Sequence, residues 1–289
     1  MSTSLELRHA GLRCEIAPQI GGAIAGLWFD DVPVLRCTPA ESLNSARRSG
    51  SFALLPFSNR VADACLTWAG VRHALTSTPG DEPHAIHGVG WQRPWTVLEA
   101  WPDRARLSLM HQPDATWPFA FEAVQSLALS DEGLTMGLSL RNLAGEPVPV
   151  GLGWHPYFVK RAGCRISFHA KGRWEMGADK LPTHRVAAKG LVSDCAALQV
   201  DHCFDGWDGT VQLRDEQLQT RVTAGLDHLV VYTQPHLDFV ALEPVSHVNN
   251  AVKRMSGTDS LGLRILQPGE TMAAEMRIQV ESVAPLRRP

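Results

Sequence analysis

Along this chain apolar and polar residues alternate in short runs, at 5–8, 12–16, 23–29, 96–100, 106–111, 121–129 and 134–142. Further runs of strand character lie at 148–154, 165–169, 229–233, 239–243, 261–266 and 271–280. Side chains alternate between the two faces of a strand, so these runs predict strands bounded by turns. Glycine and proline, 24 and 19 residues, punctuate the chain at short intervals and supply those turns. Helical periodicity is weak, with short exceptions at 42–48 and 248–253. Frequent short strands without intervening helices predict an all-β fold, a sandwich or barrel, rather than alternating βα units. No linker of biased composition and no repeat stands out. The expectation is therefore one large antiparallel β domain over 1–289, with a short N-terminal part packed onto it.

Composition narrows the function classes. The chain has 289 residues, 44% hydrophobic and 20% charged, enough to bury a sizeable core. The formal net charge is -3, with no long basic run, which disfavours nucleic acid and anionic membranes as partners. The opening MSTSLELRHA lacks a basic start followed by an apolar run, and no apolar stretch is long enough to span a bilayer. The six cysteines (Cys14, Cys37, Cys65, Cys164, Cys195 and Cys203) are scattered and read as reduced thiols. The expected address is the cytoplasm.

Several segments carry candidate chemistry. In 148–158, VPVGLGWHPYF, an extended chain puts Val148, Val150, Leu152 and Trp154 on one face. The other face carries Gly151, Gly153 and His155, as if space were left beside the histidine; the bland alternative is a histidine capping a strand end. In 84–95, HAIHGVGWQRPW, glycine follows His87, and two tryptophans offer apolar platforms of the kind sugar rings use, or simply buried bulk. In 51–60, SFALLPFSNR, an apolar run delivers Asn59 and Arg60 together, able to grip sugar oxygens or to leave the core as a solvated end. In 239–250, FVALEPVSHVNN, Glu243 ends a hydrophobic strand, a costly place for a carboxylate unless paired, hydrated or used. In 201–209, DHCFDGWDG reads as an acidic and aromatic loop, without the spacing of an EF-hand calcium site.

Twelve histidines invite a metal reading, but there is no HExxH and no zinc-finger spacing. Nor is there a GxSxG elbow, a P-loop or a GxGxxG fingerprint.

Taken in order along the chain, PFSNR, HG followed by Trp95, HPYF, DHCF and LEP resemble the landmarks of the aldose 1-epimerase (galactose mutarotase) family. GGAIAGL near residue 21 is similar to that family's early strand. The resemblance implies a large antiparallel β-sandwich with an open sugar-binding face and no cofactor or metal. By motif match it implies His155 as general acid, Glu243 as general base and His87 as a second histidine near the anomeric carbon. Arg60 and Asp201 match residues that hold sugar hydroxyls, and Asn59 sits in the same motif as Arg60; Asp205 and Asp208 crowd the Asp201 position.

These residue types suit ring opening, in which the C1 hydroxyl loses a proton while the ring oxygen gains one. The context LEPVSHVNN departs from the ETQ context of the animal-type galactose mutarotases, so the pattern looks closer to a bacterial branch of varied sugar preference. The expected partner is a monosaccharide, bound by a monomer or homodimer. Alternatives are a hexose-6-phosphate 1-epimerase, for which Arg47, Arg48, Arg93 and Arg60 are candidate phosphate ligands, or a non-catalytic sugar-binding module. A glycoside hydrolase, which normally uses two carboxylates, fits the His and Glu pair less well.

Overall fold

The computed structural model describes residues 4–254 and 261–283, so the ends of the expected 1–289 unit lie outside the described residues. Strands make up 53% of the structure, and all named strand pairs are antiparallel. A four-stranded meander opens the chain: Leu5–His9, Leu12–Ala17, Ala23–Phe29 and Val32–Pro33. Behind it lies a nine-stranded sheet built around Phe121–Ser130, Gly133–Asn142 and Thr271–Ser282. The second large sheet has eight strands, with Val200–Asp205, His228–Thr233 and Phe239–Val245 at its centre.

The nine-stranded sheet shows why alternation was the right signal. Phe121–Ser130 reads buried at every second position, so one face packs inward and the other meets partial solvent. Phe121 is almost fully buried and stacks on His111 at 4.8 Å between ring centroids. By contrast, Phe239–Val245 is buried at every position after the first, and His228–Thr233 at all but one. Both are covered on two faces. Leu229, Val231, Val240 and Leu242 join the main core, whereas Val230 and Ala241 join a smaller cluster with Phe52, Trp91 and Tyr157. The continuous apolar runs of these strands follow from that double burial.

Helix is scarce. The stretch 42–48 contains only the short 3-10 turns Ala40–Ser42 and Ala46–Arg48, and 248–253 yields the four-residue helix Ala251–Arg254. Among the described residues no helix is long and apolar enough to cross a membrane.

Three sequence expectations need correction. The run 148–154 is two strands, Val148–Val150 and Gly153–Trp154, and both of its faces are buried. The run 261–266 is strand only over Arg264–Leu266. The acidic loop at 201–209 is in fact the strand Val200–Asp205 followed by a turn.

The two-sheet core should dominate stability. Phe121→Ala is expected to destabilise the protein by about 3–5 kcal/mol, the usual cost of deleting a buried aromatic. Denaturant unfolding followed by tryptophan fluorescence measures this; a loss below about 1 kcal/mol would show that this layer contributes little.

Candidate active site

Strand register builds the centre of the site. Gly153 pairs with Val245, and Tyr157 pairs with Ala241. Position 155 therefore falls opposite position 243, and the structure brings His155 Nε2 to 3.3 Å from Glu243 Oε1. Gly153 is required for that approach, since a Cβ there would lie 2.7 Å from the Pro244 carbonyl oxygen. On the other side the same short strand pairs with Ala53–Leu54, and His155 N–H donates to the Phe52 carbonyl at 3.0 Å. Phe52 stacks on the His155 ring at 4.9 Å, and Tyr157 flanks it at 4.4 Å.

Neighbouring strands continue this face. Asp201 pairs with Tyr232 and Tyr232 with Ala241, so Asp201, Tyr232 and, two residues on, Glu243 point to one side of the sheet. Against it stands a small ladder in which Arg60 pairs with Ile86, next to His87. Asn59 and His87 both adopt left-handed backbone, at φ 53° and 61°, an unfavourable conformation for residues with a Cβ. Reciprocal bonds hold it: His87 N–H donates to the Asn59 carbonyl at 2.9 Å, and Asn59 N–H donates to His87 Nδ1 at 3.1 Å. Because Nδ1 accepts, the neutral His87 ring carries its proton on Nε2. Asn59 Oδ1 in turn accepts from Arg60 Nη1 at 3.3 Å.

These residues enclose a cavity of about 270 Å³, which gathers every predicted site residue: His87, His155, Glu243, Arg60, Asn59 and Asp201. Arg47, Asp81 and Lys180 complete its charged lining. Of the two aspartates left open by sequence, Asp201 lines the cavity. Asp205 is turned away, holding Arg185 at 2.6 Å and Trp174 Nε1 at 2.9 Å. The tryptophans of 84–95 are not the aromatic platform. Trp95 is fully buried with Nε1 on the Gly90 carbonyl, and Trp91 packs behind Phe52. Phe52, Tyr157 and Tyr232 line the cavity instead. Of the candidate phosphate ligands, Arg93 is bound to Asp114 and Thr116 and does not line it.

Burial sets the protonation states. His155 is pushed down to about 3 by burial, with the Arg36 and Arg47 charges adding to the effect. Burial and then the neighbouring Asp201 charge push Glu243 well above the usual carboxylate range, against the pull of Arg60. Burial and the charges of His155, Arg47 and Arg60 hold His87 well below its ordinary value. Burial thus moves His155 and Glu243, 3.3 Å apart, in opposite directions, each toward its uncharged form. His155 Nδ1 and Glu243 Oε2 are buried polar atoms without a protein partner, the kind of atom a polar ligand satisfies.

A family model for aldose 1-epimerase matches residues 3–279. The chain belongs to the aldose 1-epimerase family. It is 29% identical to the YphB protein of Escherichia coli K12, over 96% of this chain and 99% of that one. An E. coli K12 crystal structure described as a candidate aldose 1-epimerase superposes with a TM-score of 0.88 at 27% identity, covering 98% of this chain and all of the other. A galactose mutarotase-like protein from Clostridium acetobutylicum shares the fold at a TM-score of 0.84 and 18% identity, over 96% and 95% of the two chains.

One residue of the site region escaped the sequence reading. His247 lies four residues beyond Glu243, buried, and its Nε2 accepts the Ser58 N–H at 3.2 Å. Burial, then the charge of His228, lowers it to about 3, so the ring is neutral with its proton on Nδ1, 3.0 Å from Ser246 Oγ. Asn250 Oδ1 accepts the Ala62 N–H at 3.1 Å. The segment after Glu243 thereby braces the segment that carries Asn59 and Arg60. Gly151 makes room for this brace rather than for a ligand: a Cβ there would lie 2.2 Å from the His247 ring. The sequence clue was a histidine following the LEP motif.

Gly151→Ala should cost about 1–3 kcal/mol through overpacking against His247. In a double-mutant cycle with His247→Ala, which removes the obstructing ring, the second change should offset part of the first. Simple additivity of the two unfolding free energies would contradict the contact.

Proposed function

We propose that this cavity is the active site of a mutarotase, which interconverts the α and β anomers of a free aldose. The observation that carries the reading is the buried His155–Glu243 pair, 3.3 Å apart, on the wall of a sugar-sized polar cavity. Burial favours the uncharged arrangement, a carboxylic acid beside a neutral imidazole. Transfer of the carboxyl proton converts it into carboxylate and imidazolium, the base and acid that ring opening needs. Hydrogen bonds from sugar hydroxyls to the carboxylate would favour the charged form.

The steps then balance without any other reagent. Glu243 takes the proton of the C1 hydroxyl as the bond between C1 and the ring oxygen breaks, and His155 gives its proton to that oxygen. Rotation about the C1–C2 bond presents the other face of the aldehyde. Reverse transfers close the opposite anomer and restore the pair. His87, held neutral with its proton on Nε2, is suited to donate a hydrogen bond to a sugar oxygen. Arg60 and Asp201 offer a donor fork and an acceptor for ring hydroxyls, and Asn59 fixes the Arg60 side chain. Each positioned acid or base contributes roughly 10²–10⁴-fold to rate. A module that only bound sugar would have no need for an imidazole and a carboxyl side by side in the cavity wall.

Polarimetry of freshly dissolved α-D-glucose, α-D-galactose, arabinose, xylose and fucose tests this reading. The protein should accelerate the decay of at least one. Glu243→Gln and His155→Ala should each slow turnover by 10²-fold or more with circular dichroism unchanged. Full activity in either variant would overturn the assignment.

The pH profile gives a second test, with a definite sign. The uncharged pair exists above the lowered His155 value of about 3 and below the raised Glu243 value. Activity should therefore fall at the alkaline end as Glu243 loses its proton. Asp201 raises Glu243, so Asp201→Asn should move the alkaline limb of kcat/KM to lower pH. Movement to higher pH, after subtraction of the uncatalysed rate, would contradict the coupling.

A further inference from the structure

Two guanidinium groups and one carboxylate meet at the edge of the cavity. Arg47 Nη2 lies 2.5 Å from Asp81 Oδ2, and Arg60 Nη2 lies 2.8 Å from Asp81 Oδ1. All three line the cavity. The Asp81 side chain is only 9% exposed, as is that of Arg60. Each carboxylate oxygen is therefore engaged by a different arginine.

Asp81 has little freedom to leave. Its N–H donates to the Thr78 carbonyl at 2.9 Å, and its own carbonyl accepts from His84 N–H at 2.9 Å. Thr78 closes the loop from the other side, donating its N–H to the His84 carbonyl and accepting the Ile86 N–H on its hydroxyl. His84 is itself fixed by Asp63 N–H on Nδ1. Arg47 is steadied by the Trp91 ring, 5.0 Å below its guanidinium carbon.

A pair of converging arginines is the ordinary protein device for a phosphate dianion, because two forks of N–H donors match its oxygens. Here one nitrogen of each fork is already engaged by an internal anion. Across the whole lining, the cations Arg47, Arg60 and Lys180 face the carboxylates Asp81 and Asp201, beside the uncharged His155–Glu243 pair. An incoming dianion would meet Asp81 where it needs free arginines, and like charge at close range disfavours a ligand. A neutral sugar suffers no such penalty. Its hydroxyls can accept from the remaining N–H groups of both arginines and donate to Asp81.

We propose that Asp81 is a specificity-determining residue, which reserves the cavity for uncharged aldoses by occupying the two arginines that would otherwise hold a sugar phosphate. The inference rests on the cavity being an aldose site. It predicts that Asp81→Asn, which keeps the size of the side chain and removes its charge, releases a latent phosphate site.

The test uses the aldose turned over fastest in the polarimetric screen, with D-glucose 6-phosphate as the inhibitor. The native protein should be inhibited more strongly by free D-glucose than by the phosphate. Asp81→Asn should bind the phosphate at least 10-fold more tightly than the native protein does, and the gain should shrink as salt is raised. Adding Arg47→Gln to Asp81→Asn should abolish the gain. Asp81→Ser serves as the second variant if the asparagine protein does not fold. Stronger inhibition of the native protein by the phosphate than by glucose would overturn the proposal, as would an unchanged inhibition constant in the folded variants. If no free aldose is turned over, the mutarotase reading fails. Calorimetric titration of D-glucose 6-phosphate into native and variant protein then still decides the role of Asp81.

Discussion

The rest of the site depends on one pairing of strands. The register that sets Gly153 against Val245 and Tyr157 against Ala241 places a histidine opposite a glutamate, both of them buried. A shift of one residue would turn Glu243 into the main core among Leu242 and Val240, at a large cost for a carboxylate. The hydrophobic pattern on both sides of Phe239–Val245 therefore fixes register and chemistry together. Once so placed, the two groups are driven by burial in opposite directions, His155 down and Glu243 up. Each is thereby held toward its uncharged form, a neutral imidazole beside a carboxylic acid.

The surrounding elements serve this placement. The eight-stranded sheet supplies a floor that is buried on its other face by the main core, so it is rigid under the cavity. The opposing wall, with Asn59, Arg60 and His87, is irregular and strained, and it is held by a closed set of hydrogen bonds rather than by a long strand pairing. His247 and Asn250 tie that wall back to the chain segment leaving Glu243. Strain in the wall is thus offset by bonds to the segment that follows the strand carrying the proposed base, which links the two halves of the site mechanically.

The sequence made the residue types legible, and the long half-buried strands with them. Phe121–Ser130 and Gly133–Asn142 alternate cleanly because each has one face in the core. Pro182–Ala187 left no such trace: it is an edge strand, exposed at most positions, and nothing in it needs to be apolar. Thr210–Arg214 and Leu218–Ala224 do alternate, but the acidic-loop reading of 201–209 obscured the β character of that whole region. The motif residues proved neighbours because the strands and turns that carry them face one cavity. The roles of Gly151 and the two tryptophans could not be read from spacing. A glycine opposite a bulky row signals close approach, and only the three-dimensional packing tells whether the approaching group is a ligand or, as here, the His247 ring.

Charge distribution around the cavity completes the argument about what it can hold. Asp201 and Asp81 both line the cavity with the proposed base. Asp201 raises Glu243 and is itself raised by burial, against the pull of Arg60, so Arg60 and Asp201 act in opposite directions on Glu243. Asp81 takes up the outer face of Arg60 and with it Arg47, and so limits the positive charge presented to a ligand. Were the arginines free, the stronger field would favour the carboxylate form of Glu243 and attract anions at the same time. Holding them on a fixed internal carboxylate lets the site keep donors for sugar hydroxyls without becoming an anion trap. On this physical ground a buried ion cluster beside an uncharged His155–Glu243 pair is better suited to a neutral polyol than to its phosphate.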